Sequence, residues 1–231
     1  MDFNNKLLKL ISPQLKIYIE ENIISLYHKF DKAHNINHVD KVIKTSLELA
    51  EILSKNLDIA YTIAACHDIG LGFFPHNKKK SREYHHKYSK ILTEQDATLK
   101  EFFSMEKIKI IAQACYDHRA SLQGTPKSIY GKIIADADRI DGLEIKEMII
   151  RCWNYTISYN PELSLDQRYK EIYSHLKEKY GDNGYAYNSF YLKESKNIVK
   201  EEIKNSQRIL SCNENFKNLF NQLLTEKKLL K

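Results

Sequence analysis

Chemistry is first legible at His67 and Asp68, which close the stretch Asp58-Ile-Ala-Tyr-Thr-Ile-Ala-Ala-Cys-His-Asp-Ile-Gly70. Ala60, Ile63, Ala64 and His67 fall at i, i+3, i+4 and i+7, the spacing of one apolar helix face, so the imidazole is aimed at a core. Asp68 follows at once, and Gly70 offers a helix stop. An imidazole and a carboxylate delivered together to an inward-facing helix end need a partner, because an unpaired buried charge is costly. A divalent metal ion is one such partner; a salt bridge is the other.

The same pattern recurs along the chain. The spacing predicts a helix over 105–118 with Ile108, Ile111, Ala112, Cys115 and His118 on one face. A second, over 129–143, puts Asp138 and Asp141 on a face with Ile134 and Ala137. His38 opens a third, to Leu53, and His85 and His86 stand in a fourth, over 83–97. One inward histidine is ordinarily a satisfied core residue, but each member of such a set would need its own partner. Donors drawn from His and Asp, with no Cys, suit a hydrated, Lewis-acidic divalent ion rather than a closed structural zinc site.

The elements that must position these groups read as helices throughout. Gly 7 and Pro 4 are too few for a turn-rich all-β chain of 231 residues, and the long amphipathic stretches point to an all-α fold. Residues 3–30 form one or two helices with Leu7, Leu10, Ile11, Leu15, Ile19 and Ile23 inward. Residues 31–37 are a polar break in which Asn37 is the expected N-cap, with Asp40 three residues on. The His-Asp helix covers 57–69. Residues 70–82 read as a loop, with Lys78–Lys80 either a solvated charge run or a binding element. After 143 come helices over 144–158 and 164–180, a Tyr- and Gly-rich stretch over 181–191, and one or two charged helices over 193–229. The whole chain, 1–231, is expected to be a single all-helical domain.

The net charge of +6 comes from 36 basic and 30 acidic residues, mostly interspersed. That is a solvated surface suited to an anionic substrate, not a specific nucleic-acid-binding tail. The four cysteines (Cys66, Cys115, Cys152, Cys212) form no CxxC pair and read as reduced core residues. No apolar run approaches the ~18 residues of a membrane span, and the first residues lack a secretion signal. A soluble, cytoplasmic protein is expected.

His38 in His-Val-Asp-Lys-Val, His67-Asp68 in Ala-Ala-Cys-His-Asp-Ile-Gly, and Asp138 in Asp-Ala-Asp-Arg-Ile-Asp resemble, in order, the His … His-Asp … Asp signature of the HD-domain metal-dependent phosphohydrolase superfamily. The resemblance covers about 25–145, leaving 146–231 as a C-terminal helical extension. Asp117-His-Arg-Ala-Ser, Ser128-Ile-Tyr-Gly-Lys, Lys179-Tyr-Gly and Gly184-Tyr look like a branch of bacterial HD proteins for which no substrate is implied. The resemblance implies an HD-domain helical bundle with additional C-terminal helices. It further implies a metal held by His38, His67, Asp68 and Asp138. His118, with either His85 or His86, matches positions where dinuclear members hold a second metal and mononuclear members contact phosphate. One or two divalent ions (Mn, Mg, Fe, Zn, Co or Ni) are implied, and Asp68, His85, His86 and His118 become the candidate catalytic residues. His34, which recurs in some members, is either near the substrate or exposed.

The expected reaction is phosphoester hydrolysis by a metal-activated water on a nucleotide or other small phosphoester. Arg82, Arg119, Lys132 and Arg139 are candidates to neutralise its phosphate. Asp141 either orients a ligand histidine or caps its helix. Trp153, Tyr155, Tyr159, Tyr185, Tyr187 and Tyr191 are read as core or homodimer interface in preference to a base-stacking surface. The rivals are a di-iron oxygenase, which uses much the same ligands, and a metal-retaining regulatory module without catalysis. A Gly-Tyr-Pro phosphodiesterase signature is absent after His118, and there is no Gly-rich phosphate loop or Ser/Cys nucleophile arrangement.

Overall fold

The structure, a computed structural model, describes residues 3–31, 34–122, 124–226 and 229. Among them it contains α-helices and short 3₁₀ turns and no strand, so the fold is all-α. Two compact units follow one another, Met1–Asp141 and Gly142–Lys231.

The first unit contains α1 (Phe3–Leu8), α2 (Pro13–Asn22), α3 (Ile36–Ile52), α4 (Leu57–Cys66), α5 (Lys78–Gln95), α6 (Leu99–Phe102), α7 (Met105–Asp117) and α8 (Ile129–Ile140). Its centre is α4, in which every residue from Ile59 to Cys66 is buried. A helix apolar all round belongs inside a bundle, and Ala60, Ala64 and Ala65 keep α4 thin enough for α3, α7 and α8 to pack around it. The end of α4 therefore arrives in the middle of the unit, and it carries His67 and Asp68.

Capping side chains set several boundaries. Asn35, not Asn37, caps α3, because its side-chain oxygen accepts the His38 backbone N–H at 3.2 Å. Asn37 lies exposed in the first turn. Asn77 caps α5 by accepting the Lys80 N–H at 2.9 Å. Lys78–Lys80 thus form the first helical turn rather than part of a loop, and the segment after Asp68 is a 3₁₀ turn, Ile69–Phe73. Of the expected inward set near the N-terminus, Leu7, Ile11, Leu15, Ile19 and Ile23 are buried, whereas Leu10 is exposed. α2 begins afresh at Pro13, so the two short helices do not share one continuous stripe.

The second unit contains α9 (Ile145–Tyr159), α10 (Leu165–Tyr180), α11 (Lys193–Ser211) and α12 (Asn213–Thr225). Ser164 and Gln167 form a reciprocal capping box at the start of α10. The core gathers Ile149, Trp153, Ile172, Leu176, Phe216 and Phe220. The Tyr180 hydroxyl donates to the Leu143 carbonyl at 2.9 Å. Trp153 is core, but Tyr155, Tyr159, Tyr185 and Tyr187 are exposed, so most of that aromatic set lies outside the core of this unit. Cys66 and Cys115 are buried as expected; Cys152 is half-buried and Cys212 is exposed, because Cys212 stands at the break between α11 and α12. No helix among the described residues is long and apolar enough to cross a membrane.

One close approach ties the fold to the ligand helices. The Gly70 N–H donates to Ser89 Oγ at 2.9 Å. A Cβ at Gly70 would run into the His85 carbonyl oxygen and lie 2.6 Å from the Ser89 nitrogen. Gly70 is thus less a helix stop than the point where backbone meets backbone, two residues from Asp68. Gly70→Ala is expected to force α5 away from the turn, costing about 1–3 kcal/mol. Denaturant unfolding would measure the stability, and the same protein should bind metal more weakly.

Candidate metal centre

Six ligand-type side chains from five stretches of the first unit meet at one place. His38 comes from the first turn of α3, His67 and Asp68 from the end of α4, His85 from the middle of α5, His118 from the end of α7, and Asp138 from the last turns of α8. His38, His67, Asp68 and His118 are buried; Asp138 and His85 lie at the more open edge, with side chains 26% and 14% exposed.

The six divide into two groups of three. His38, His67 and Asp138 each offer one atom, and those atoms lie within 4.8 Å of one another; so do those of Asp68, His85 and His118. In the first group His38 Nε2 stands 3.1 Å from His67 Nε2 and 3.6 Å from Asp138 Oδ1. In the second, His85 Nε2 stands 3.0 Å from His118 Nε2. Asp68 joins the two. Its Oδ2 is 3.2 Å from His67 and 3.5 Å from His38, while its Oδ1 is 3.4 Å from His118 and 3.5 Å from His85.

All four histidines are turned the same way. His67 Nδ1 donates to the Ala64 carbonyl at 2.7 Å, His85 Nδ1 to Arg82 at 2.8 Å, and His118 Nδ1 to Cys115 at 2.6 Å. His38 Nδ1 donates to Asp141 Oδ2 at 2.7 Å. His67 and His118 do this as the C-terminal caps of α4 and α7, satisfying carbonyls that a helix end leaves open. With Nδ1 protonated, each Nε2 of a neutral ring presents a lone pair. Two such lone pairs about 3 Å apart repel unless a proton or cation lies between them. The residues present therefore fit a cation at each group, and the carbonyl and carboxylate partners are the outer support that fixes ligand orientation.

The electrostatics agree. Burial opposes a charged His38, but its hydrogen bonds to Asp141 and Asp68 and the charges of Asp138 and Asp68 outweigh it and hold its pKa up at about 10. Burial would raise the Asp68 carboxyl, yet His67, His118 and His38 hold it well below the usual carboxylate range. Asp138 is lowered likewise, by His38, His67 and His118 against the effect of burial. His118 is raised by Asp68 despite its burial, whereas burial depresses neighbouring His85 to about 4. One proton between those two rings satisfies both.

The remaining candidates fall around this cluster or away from it. Of His85 and His86, it is His85 that joins the six. His86 Nδ1 instead accepts from Arg119 Nη1 at 3.2 Å, its ring lies 5.0 Å from that of Tyr116, and burial together with Arg119 depresses it to about 3. A candidate-ligand role for His86 is therefore replaced by a packing one, since adjacent helical residues point about 100° apart. Asp141 orients His38 and also meets Lys41 at 3.4 Å. His34 bonds Asp31 at 2.8 Å, and its ring lies 5.6 Å from that of His38, beside the cluster. Arg82 pairs with the other Asp31 oxygen at 3.6 Å and stays 40% exposed. Arg139 turns back onto the Ala135 carbonyl of its own helix at 2.7 Å. Lys132 is half-buried, six residues before Asp138 and so on a different face of α8. Arg119 grips backbone of α5 rather than projecting freely.

One participant escaped the sequence. Tyr27, fully buried, donates its hydroxyl to the Ala65 carbonyl at 2.9 Å and accepts the Asp68 N–H at 3.3 Å, anchoring the backbone that carries the central carboxylate. A tyrosine in a 3₁₀ turn carries no periodic signal.

Residues 35–143 match the family described as HD domain. Neither a curated protein nor a solved structure gives a significant match to the chain.

Asp68→Ala is expected to lower metal uptake at both groups together, while His118→Ala weakens one of them; elemental analysis of the purified proteins would distinguish the two patterns. The ion-free protein is also expected to respond to pH through His38. Its folded pKa is raised, so its pairing with carboxylates is fully present below the ordinary histidine value and is lost as pH rises through about 10. A cation must expel that proton, so uptake should release protons near neutral pH and strengthen as pH rises. Titration calorimetry in buffers of different ionisation enthalpy would count them.

Proposed function

We propose, from the premise that residues 35–143 are an HD domain of the metal-dependent phosphohydrolase superfamily, that this protein hydrolyses a small phosphoester. A nucleotide is within the proposed class. The observation that carries the reading is Asp68, whose two oxygens each face a separate pair of histidine nitrogens. His38, His67, Asp68 and Asp138 would hold one divalent ion, and Asp68, His85 and His118 a second.

Such ions lower the pKa of water toward neutrality and polarise a phosphoryl oxygen. The protein's own groups supply the rest. Asp138 and His85, at the open edge, leave a path for an anionic substrate to the buried donors. Arg82 keeps solvent access, and its pairing with Asp31 is long enough to be exchanged for a substrate phosphate. His34 is held by Asp31 through Nδ1 with its ring beside that of His38, and it is the residue we assign to deliver a proton to the leaving-group oxygen. Arg139 is bonded to its own helix and is not assigned to the phosphate.

The reading is tested by assaying the metal-loaded protein against phosphomonoester and phosphodiester panels with manganese or magnesium. Asp68→Ala should abolish turnover. His34→Ala should lower kcat on the order of 10²-fold, with metal content unchanged. Oxygen consumption with tightly bound iron and no phosphoester turnover would replace this reading with the di-iron oxygenase one. Metal retention without either activity would leave a regulatory module.

A further inference from the structure

Arg119 follows His118 directly, at the end of α7, and its guanidinium crosses to α5. There Nη1 donates to the Arg82 carbonyl at 3.2 Å and to the Glu83 carbonyl, and it faces His86 Nδ1 at 3.2 Å. Nε is held by Ser121 Oγ at 2.6 Å. The Arg82 carbonyl is the same oxygen that accepts His85 Nδ1–H at 2.8 Å. One acceptor is thus shared between the ring that faces Asp68 from α5 and the residue adjoining the ring that faces Asp68 from α7.

We infer that Arg119 is a positioning residue for the second ion, setting His85 against His118 through the Arg82 carbonyl, and not a ligand for substrate phosphate. The inference rests on the two-ion reading proposed above. His85 and His118 belong to different helices, and no covalent link fixes their Nε2 atoms at 3.0 Å from each other. A forked guanidinium donates in fixed directions from a single anchor, which an ammonium cannot reproduce. With Nη1 on the α5 backbone and Nε on Ser121, the direction of the Arg119 side chain is set by α5 and its own loop. The same contact engages His86, whose Nδ1 accepts from Arg119.

The test is calorimetric titration of Mn(II) into the full-length, metal-stripped protein, with thermal unfolding of the same stripped samples. The wild type should show two uptake events, and His85→Ala should identify the second by removing it. Arg119→Gln should weaken that second event by about 10–100-fold, the loss typical of an outer hydrogen-bond partner, and leave the first unchanged. Arg119→Lys should fall between Gln and wild type, and it carries the comparison if the Gln variant does not fold. Unchanged affinity at both sites in a folded Arg119 variant overturns the inference while the two-ion reading stands. Equal weakening of both sites with a lower unfolding temperature overturns it too, since that marks general structural support. A wild type with one event that His85→Ala does not alter refutes the two-ion reading and the inference with it.

Discussion

The Asp68 carboxylate is the constraint on which the rest of the first unit depends. It is buried, ionised and surrounded by four imidazole nitrogens, two facing each oxygen. A lone carboxylate there would be strongly disfavoured. Surrounded by protons or cations on the rings, it becomes the point toward which α3, α4, α5 and α7 are drawn. A buried charge is a poor source of net stability but a demanding specifier of arrangement, because removing one partner leaves the others unsatisfied.

Backbone geometry does most of the orienting. Helices α4 and α7 end on a histidine that bonds the carbonyl three residues back, so the open carbonyls at a helix end fix a ring in a defined direction. The negative end of the helix dipole lies at the same position and favours positive charge there. His85 uses the same bond inside α5, and His38, at the start of its helix where no such carbonyl is open, is oriented by Asp141 from α8 instead. Gly70 and Tyr27 serve the backbone on either side of this arrangement. One lets α5 touch the turn after Asp68, and the other bonds both the Ala65 carbonyl and the Asp68 amide.

Much of this was legible in the residues. The inward phase of His67 follows from Ala60, Ile63 and Ala64, that of His118 from Ile108, Ile111 and Cys115, and that of Asp138 from Ile134 and Ala137. Each belongs to a regular helix, where a 3.6-residue period fixes direction. The errors lie where the period gives no information. The start of α3 was misplaced because two asparagines two residues apart can both cap, and only the reach of Asn35 to the His38 amide decides between them. The segment after Gly70 looked like a loop because glycine, proline and a lysine run mask the helix that Asn77 begins. Leu10 looked inward because the stripe was continued across the helix break before Pro13.

The sequence by itself determined the helical class and the inward phase of His67, His118 and Asp138, because these depend on local spacing. Tertiary structure alone decided which ligands pair, that His85 rather than His86 joins them, that Asp141 orients His38, and that Arg119 is committed to the α5 backbone. Those outcomes depend on distances between helices far apart in the chain. His38 and Asp141 are 103 positions apart, and no local period encodes the packing that brings them to 2.7 Å.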